Sequence, residues 1–105
     1  MFYVNYRWRV RRDSEMQFID SWCQATKLIR EHRGGLGSRL HRCEDGTWMA
    51  YARWPDRKTW ESAMNLPPVD EQLFEKMNSC VVKRYKPIPL DSVADLLDDS
   101  ELSPT

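Results

Sequence analysis

Two side chains in this sequence could handle a proton in an apolar setting: Tyr6, in the aromatic run FYVNYRWRV, and His41, in GSRLHR. A phenol can donate to a developing anion, and an imidazole ordinarily titrates near neutral pH, which suits a general base. The chain also carries five tryptophans, and Trp8, Trp22, Trp48 and Trp60 could wall a pocket for a flat hydrophobic molecule. Asn5 and Arg7 alternate with the aromatic residues of the first run. An Arg fork matches a carboxylate, so this pair could orient a polar or anionic group of a substrate. Each of these residues also has a purely structural reading. His41 can be a surface histidine beside Arg39 and Arg42, the indoles can be core filling, and the Asn–Arg row can face water or a second copy.

Other chemistries find little support. Two histidines and three scattered cysteines form no metal-ligand motif, so no metal is expected. Gly34-Gly35-Leu36-Gly37 leads from a helix into a strand, the wrong order for a phosphate cradle. No GxSxG or similar motif presents a nucleophile. His32 falls in the last turn of a helix, where a cation meets the dipole favourably, and receives no functional role.

The elements that must position these groups follow from periodicity. Phe2, Val4, Tyr6, Trp8 and Val10 alternate with Tyr3, Asn5, Arg7 and Arg9, which predicts a strand. Ser14 and Gln17 are spaced as a capping box for a helix reaching Arg33, with Met16, Ile19, Trp22, Cys23 and Ile29 as its apolar stripe and Phe18 and Ala25 widening it. Gly34-Gly35 ends it. LGSRLHRC (36–43) and TWMAYARW (47–54) flank Glu44-Asp45-Gly46, a hairpin turn with Gly46 at the positive-φ position. Ala50 and Ala52, between Trp48 and Trp54, leave space beside the sheet. Asp56 caps a short helix carrying Trp60, Ala63 and Met64; Pro67-Pro68 breaks it, and a second short helix spans roughly 70–79. CVVKRYK (80–86) is a final strand. The order β-α-β-β-α-β predicts an α+β, ferredoxin-like domain with a four-stranded antiparallel sheet and helices on one face. Tyr3, Met49, Tyr51, Val81 and Tyr85 then populate the uncovered face, which predicts a homodimer through the sheet faces.

The chain is 105 residues long with zero formal net charge, one domain in size. The zero hides a division: 16 basic residues against 11 acidic ones precede Pro87, a net of about +5, and residues 87–105 carry about −5. This acidic tail, with Leu90, Val93, Leu96 and Leu97 near helical spacing, reads as a short amphipathic helix that could pack on a partner protomer or on the basic body. A neutral chain argues against general nucleic-acid binding, and WMAYARW lacks the aromatic pattern of RNA-recognition strands, although the basic body and the RWRVRR run (7–12) keep RNA binding as a lesser alternative. No apolar run is long enough for a membrane span. The charged N-terminal run is no signal peptide, and the odd, unpaired cysteines fit a cytoplasmic protein.

GSRLHR (37–42), DGTWMAYARWPDRKTWESA (45–63) and VNYRWRV (4–10) resemble the antibiotic biosynthesis monooxygenase-like group of the dimeric α+β barrel superfamily, over roughly residues 1–86. The resemblance implies a ferredoxin-like protomer, a dimer closing a barrel from two sheets, and a pocket between sheet and helices. It also implies activities that range over cofactor-independent oxygenation of aromatic substrates and haem degradation, beside members with no known activity. A separate alternative is a non-catalytic small-molecule-binding or interaction module with the acidic tail as its docking element. The haem branch is disfavoured. Tyr6 stands in the place of its strand Asn, Ala63 in that of its helix Trp with Trp60 one turn earlier, and residues 70–79 hold no histidine to ligate iron. Oxygenation without a cofactor remains the leading enzymatic expectation, with His41 and Tyr6 as catalytic residues and Trp8, Trp22, Trp48, Trp60, Asn5 and Arg7 binding the substrate.

Overall fold

In the computed structural model, residues 1–97 are described. The order is β1 (Phe2–Val10), a 3-10 turn (Arg12–Ser14), α1 (Glu15–His32), β2 (Ser38–Arg42), β3 (Trp48–Trp54), α2 (Arg57–Met64), α3 (Glu71–Asn78), β4 (Val81–Arg84) and β5 (Ile88–Asp91). The sheet runs β2-β3-β1-β4, all antiparallel. That is the ferredoxin-like arrangement expected from the sequence, with one strand more.

The extra strand corrects the reading of the tail. Residues 88–91 are not the start of an amphipathic helix but β5, which pairs Ile88 with Asn5 and Asp91 with Phe2. No helix occurs in residues 92–97 either; Val93 and Leu96 are exposed there. The leucine spacing is helical, yet Pro87 and Pro89 remove backbone donors and favour extended backbone, and the free edge of β1 offers partners for what remains. The rest of the acidic segment, 98–105, lies outside the described residues.

Chain alternation divides β1 cleanly. Phe2, Val4 and Trp8 are buried under the helices, with Tyr6 and Val10 partly so. Between Arg9 and Val10 the pairing with β4 shifts by a bulge. The shift turns Val81 inward, against the core, rather than onto the uncovered face. Arg84, the register partner of Trp8, shares the inner face with it.

Helix α1 packs a narrower stripe than its periodicity suggests. Phe18, Ser21 and Ala25 are buried, whereas Met16 and Cys23 are exposed. The two small residues let the helix lie close to the sheet, and Phe18 meets Trp8 and Trp48 edge-on, with ring centroids 5.4 and 5.7 Å away. The expected capping box is absent. Ser14 Oγ donates to Asp13, and Gln17 Nε2 reaches the α3–β4 junction at the Lys76 carbonyl, Ser79 and Cys80. The preceding 3-10 turn leaves Ser14 outside the extended backbone a capping residue needs. Asp56 and Asp70 do cap their helices, accepting from the Thr59 and Leu73 amides at 2.8 and 3.0 Å.

The β2–β3 hairpin closes as the Glu-Asp-Gly sequence predicts. Cys43 and Thr47 are joined by a 2.8 Å backbone bond, and Gly46 sits at φ 87°, where a side chain would be strained.

Candidate functional site

Two core clusters meet at Tyr6, which packs against both. One centres on Trp8, Phe18 and Trp48, the other on Phe2, Val4 and Trp54. Between the helices and the sheet, next to this junction, lies a cavity of about 170 Å³. Its floor is the inner face of β1 and β3, from Tyr6, Trp8, Ala50, Ala52 and Trp54. Trp22, Ala25 and Ile29 of α1 wall one side, and Met64, Phe74 and Met77 of the broken second helix wall the other. Ala50 and Ala52 are buried; their small side chains leave the volume that a larger residue on the β3 floor would fill.

The polar equipment is sparse and specific. The Tyr6 hydroxyl accepts a hydrogen bond from Trp60 Nε1 at 2.9 Å. Burial raises the Tyr6 pKa above its ordinary 10.0, against smaller opposing effects from the Trp60 bond and from the positive charge of Arg84. Arg84 lines the same cavity and bonds the Asn78 side chain. Tyr6 is therefore a protonated phenol at neutral pH. Because it accepts from Trp60, its own proton is available to a ligand oxygen.

The sequence candidates divide between the two faces of the sheet. Tyr6, Trp8 and Trp22 line the cavity, and Trp60 reaches it through Tyr6. Trp48 is buried against Phe18 in the core and does not line it. His41, Asn5 and Arg7 lie on the opposite face. His41 pairs with Met49 and Asn5 with Tyr51, positions that alternate with the inward-facing Ala50 and Ala52. His41 is exposed and shares no surface with Tyr6. Arg7 instead holds the hairpin: Nε donates to Thr47 Oγ1 at 3.1 Å and Nη2 to Asp45 Oδ2 at 2.5 Å, with its guanidinium 5.3 Å from the Tyr85 ring centre. Asp45 is held below the usual carboxylate pKa, first by its bonds from Thr47 and then by the charges of Arg7 and Arg9.

Trp54, Ile29, Phe74 and Arg84 are site residues that the sequence reading leaves out. For Trp54 a signal exists, since it shares the inward register of Ala50 and Ala52. For Arg84 there is none, because its inward position depends on pairing with β1.

The uncovered face carries Tyr3 stacked on Tyr51, with ring centroids 4.8 Å apart. Tyr3 is already buried, and Leu97 borders a hollow beside the pair together with Arg39 and Arg53. The described part of the tail thus returns toward its own sheet. No helix among the described residues is long and apolar enough to cross a membrane.

A ferredoxin-like sheet with a small, mostly apolar cavity under its helices defines a class of α+β proteins able to enclose a small molecule between the two layers. The chain belongs to the antibiotic biosynthesis monooxygenase family, whose pattern matches residues 1–71. Solved structures share the fold at low identity. The cofactor-independent oxygenase SnoaB of Streptomyces nogalater is 13% identical with a TM-score of 0.75, covering 92% of this chain and 97% of its own. A family protein of Bordetella bronchiseptica is 16% identical with a TM-score of 0.76, covering 89% and 97%. One of Deinococcus radiodurans is 12% identical with a TM-score of 0.72, covering 93% and 98%. No curated protein matches the chain.

Proposed function

We propose that the cavity binds a hydrophobic aromatic compound and that the protein oxygenates it with dioxygen and no cofactor. The observation that carries this reading is the Tyr6 hydroxyl, fixed by Trp60 at 2.9 Å inside a cavity walled by indoles and aliphatic groups. A monooxygenase without a cofactor takes its electrons from the substrate. An activated methylene can supply them: the carbon loses both hydrogens and gains one oxygen atom as a carbonyl, while the second oxygen atom leaves with those hydrogens as water. Such a substrate reacts through its anion, so the protein's task is to favour that anion next to oxygen. Tyr6 donates a hydrogen bond to the enolate or phenolate oxygen, the charge of Arg84 stabilises it, and the apolar walls exclude water. Family membership supports the reaction class, and SnoaB supports the cofactor-free form by likeness of fold.

His41 has no place in this reading, being on the other side of the sheet. The test is turnover of anthrone under isotopically labelled dioxygen, followed by mass spectrometry. One labelled oxygen in the product, a loss of tenfold or more in Tyr6→Phe, and unchanged turnover in His41→Ala are expected. Binding with no turnover would leave the second reading, a non-catalytic small-molecule-binding module. Full activity in Tyr6→Phe would reject the assigned role.

The uncovered sheet face we assign to a second copy of the chain. The Tyr3–Tyr51 stack supports this, as does Asn5 Oδ1, which is buried there without a partner among the described residues. Light scattering should give the mass of a dimer at micromolar concentration; a monomer would remove the claim.

A further inference from the structure

The cavity has a neighbour. A second hollow of about 160 Å³ lies under residues 66–69, walled by Ala63, Leu66, Pro68 and Val69. The two hollows share Ile29, Trp54, Met64 and Phe74, so they are adjacent. Met64 is unbranched and half exposed, able to swing aside at little cost. The roof is held in place, because Arg33 donates to the Pro67 carbonyl at 3.0 Å and two consecutive prolines stiffen the segment.

Trp54 is the informative part of the partition. It is 3% exposed, and its Nε1 has no hydrogen-bond partner among the described residues. An indole N–H can only donate, and a buried donor left unpaired is a cost that native structures rarely carry without a reason. A residue that walls both hollows and holds an unspent donor is suited to an acceptor arriving with a ligand. The first hollow adds Ser38, whose Oγ is likewise buried and unpartnered among the described residues.

We propose that the two hollows form one two-compartment site for an elongated aryl ketone. The aryl group occupies the first compartment, the carbonyl oxygen accepts from Trp54 Nε1, and an alkyl arm enters the second beneath residues 66–69. The proposal rests on the reading of the first cavity as an aromatic-binding site and adds the shape and the acceptor of its ligand. Apolar walls without a free charged group explain why the arm is aliphatic; Arg33 is engaged with backbone carbonyls.

The experiment is a fluorescence titration of the full chain with 2-naphthol and with 6-acyl-2-naphthols carrying acetyl, propanoyl and butanoyl groups. Affinity should rise about fourfold with each added methylene. Val69→Trp, and Leu66→Trp should the first variant fail to fold, should flatten the series by filling the second compartment. Trp54→Phe should weaken the acyl compounds about tenfold and the matching 6-alkyl-2-naphthols by less than about twofold. A flat series in the unsubstituted protein with 2-naphthol still bound would overturn the second compartment and leave the aromatic-site reading intact. A rising series without measurable 2-naphthol binding would do the reverse. Equal losses for acyl and alkyl compounds in Trp54→Phe would overturn the carbonyl contact.

Discussion

The contact between Tyr6 and Trp60 joins the stability of the domain to the state of its candidate site, and a double-mutant cycle can measure it. Tyr6→Phe removes an acceptor 2.9 Å from the indole nitrogen, while Trp60→Phe removes the donor and keeps an aromatic ring. A net hydrogen bond of this kind contributes about 1 kcal/mol. For 105 residues the unfolding entropy is about 220 cal/mol/K, so that energy corresponds to roughly 4–5 °C in Tm. The coupling from urea denaturation of the four proteins should be about 0.5–1.5 kcal/mol.

The same contact sets a pH effect whose sign follows from its causes. Burial raises the Tyr6 pKa above 10.0, and the Trp60 donor opposes it by favouring the phenolate. Removing the donor should therefore move the titration of Tyr6 further upward, read as tyrosinate absorbance. A raised folded-state pKa means that the buried phenol resists ionisation, so the unfolded chain loses its proton first. Its contribution to stability is complete below the unfolded value and is lost as pH rises through the folded one. Tyr6→Phe should accordingly flatten the alkaline fall in stability. A downward shift in Trp60→Phe, or a coupling near zero, would refute the assigned geometry.

The remaining expectations are simpler. Asp45→Asn should make the acid limb of the stability profile shallower, because a carboxylate held below 3.8 stabilises above that pH and loses its effect as pH falls through the folded value; an unchanged acid limb counts against it. Gly35→Ala should cost about 1–3 kcal/mol in denaturant titration, since a Cβ there would stand 2.9 Å from Ile29 Cγ2 and 3.5 Å from Trp54. Arg33→Ala should speed amide exchange and proteolytic nicking in 65–70 with little global loss, as its exposed bond to the Pro67 carbonyl ties that segment to the end of α1. Deleting 88–105 should lower Tm far more than deleting 92–105, because only the first removes β5 from its pairing with Phe2, Tyr3, Val4 and Asn5; equal losses would contradict that pairing.

Elements with a strong internal period are legible without coordinates. The alternation of 2–10, the Gly34-Gly35 stop, the Glu-Asp-Gly hairpin and the Asp56 cap all concern neighbours within a few residues. So is the space beside Ala50 and Ala52. What escapes depends on distant partners. β5 exists because the edge of β1 is free to pair, which no spacing within 88–97 reveals. Arg84 faces inward, and Val81 with it, through a bulge. His41 draws a catalytic reading from residue type alone. Its strand face follows only from the pairing of Leu40 with Ala50, which puts His41 on the other side.

The last two strands have a kinetic consequence. β4 and β5 lie end to end along one edge of β1, with the Tyr85 amide bonded to the Arg7 carbonyl between them. They act as a single interrupted rail. The strand that carries Tyr6 precedes the other strands of the sheet in the chain and is closed last, since Phe2 waits for Asp91. On the ribosome the floor of the cavity stays open along one edge until nearly the whole domain has emerged. Assembly is then dominated by contacts between distant parts of the chain, the regime in which folding is slow and an unpaired edge is exposed to aggregation.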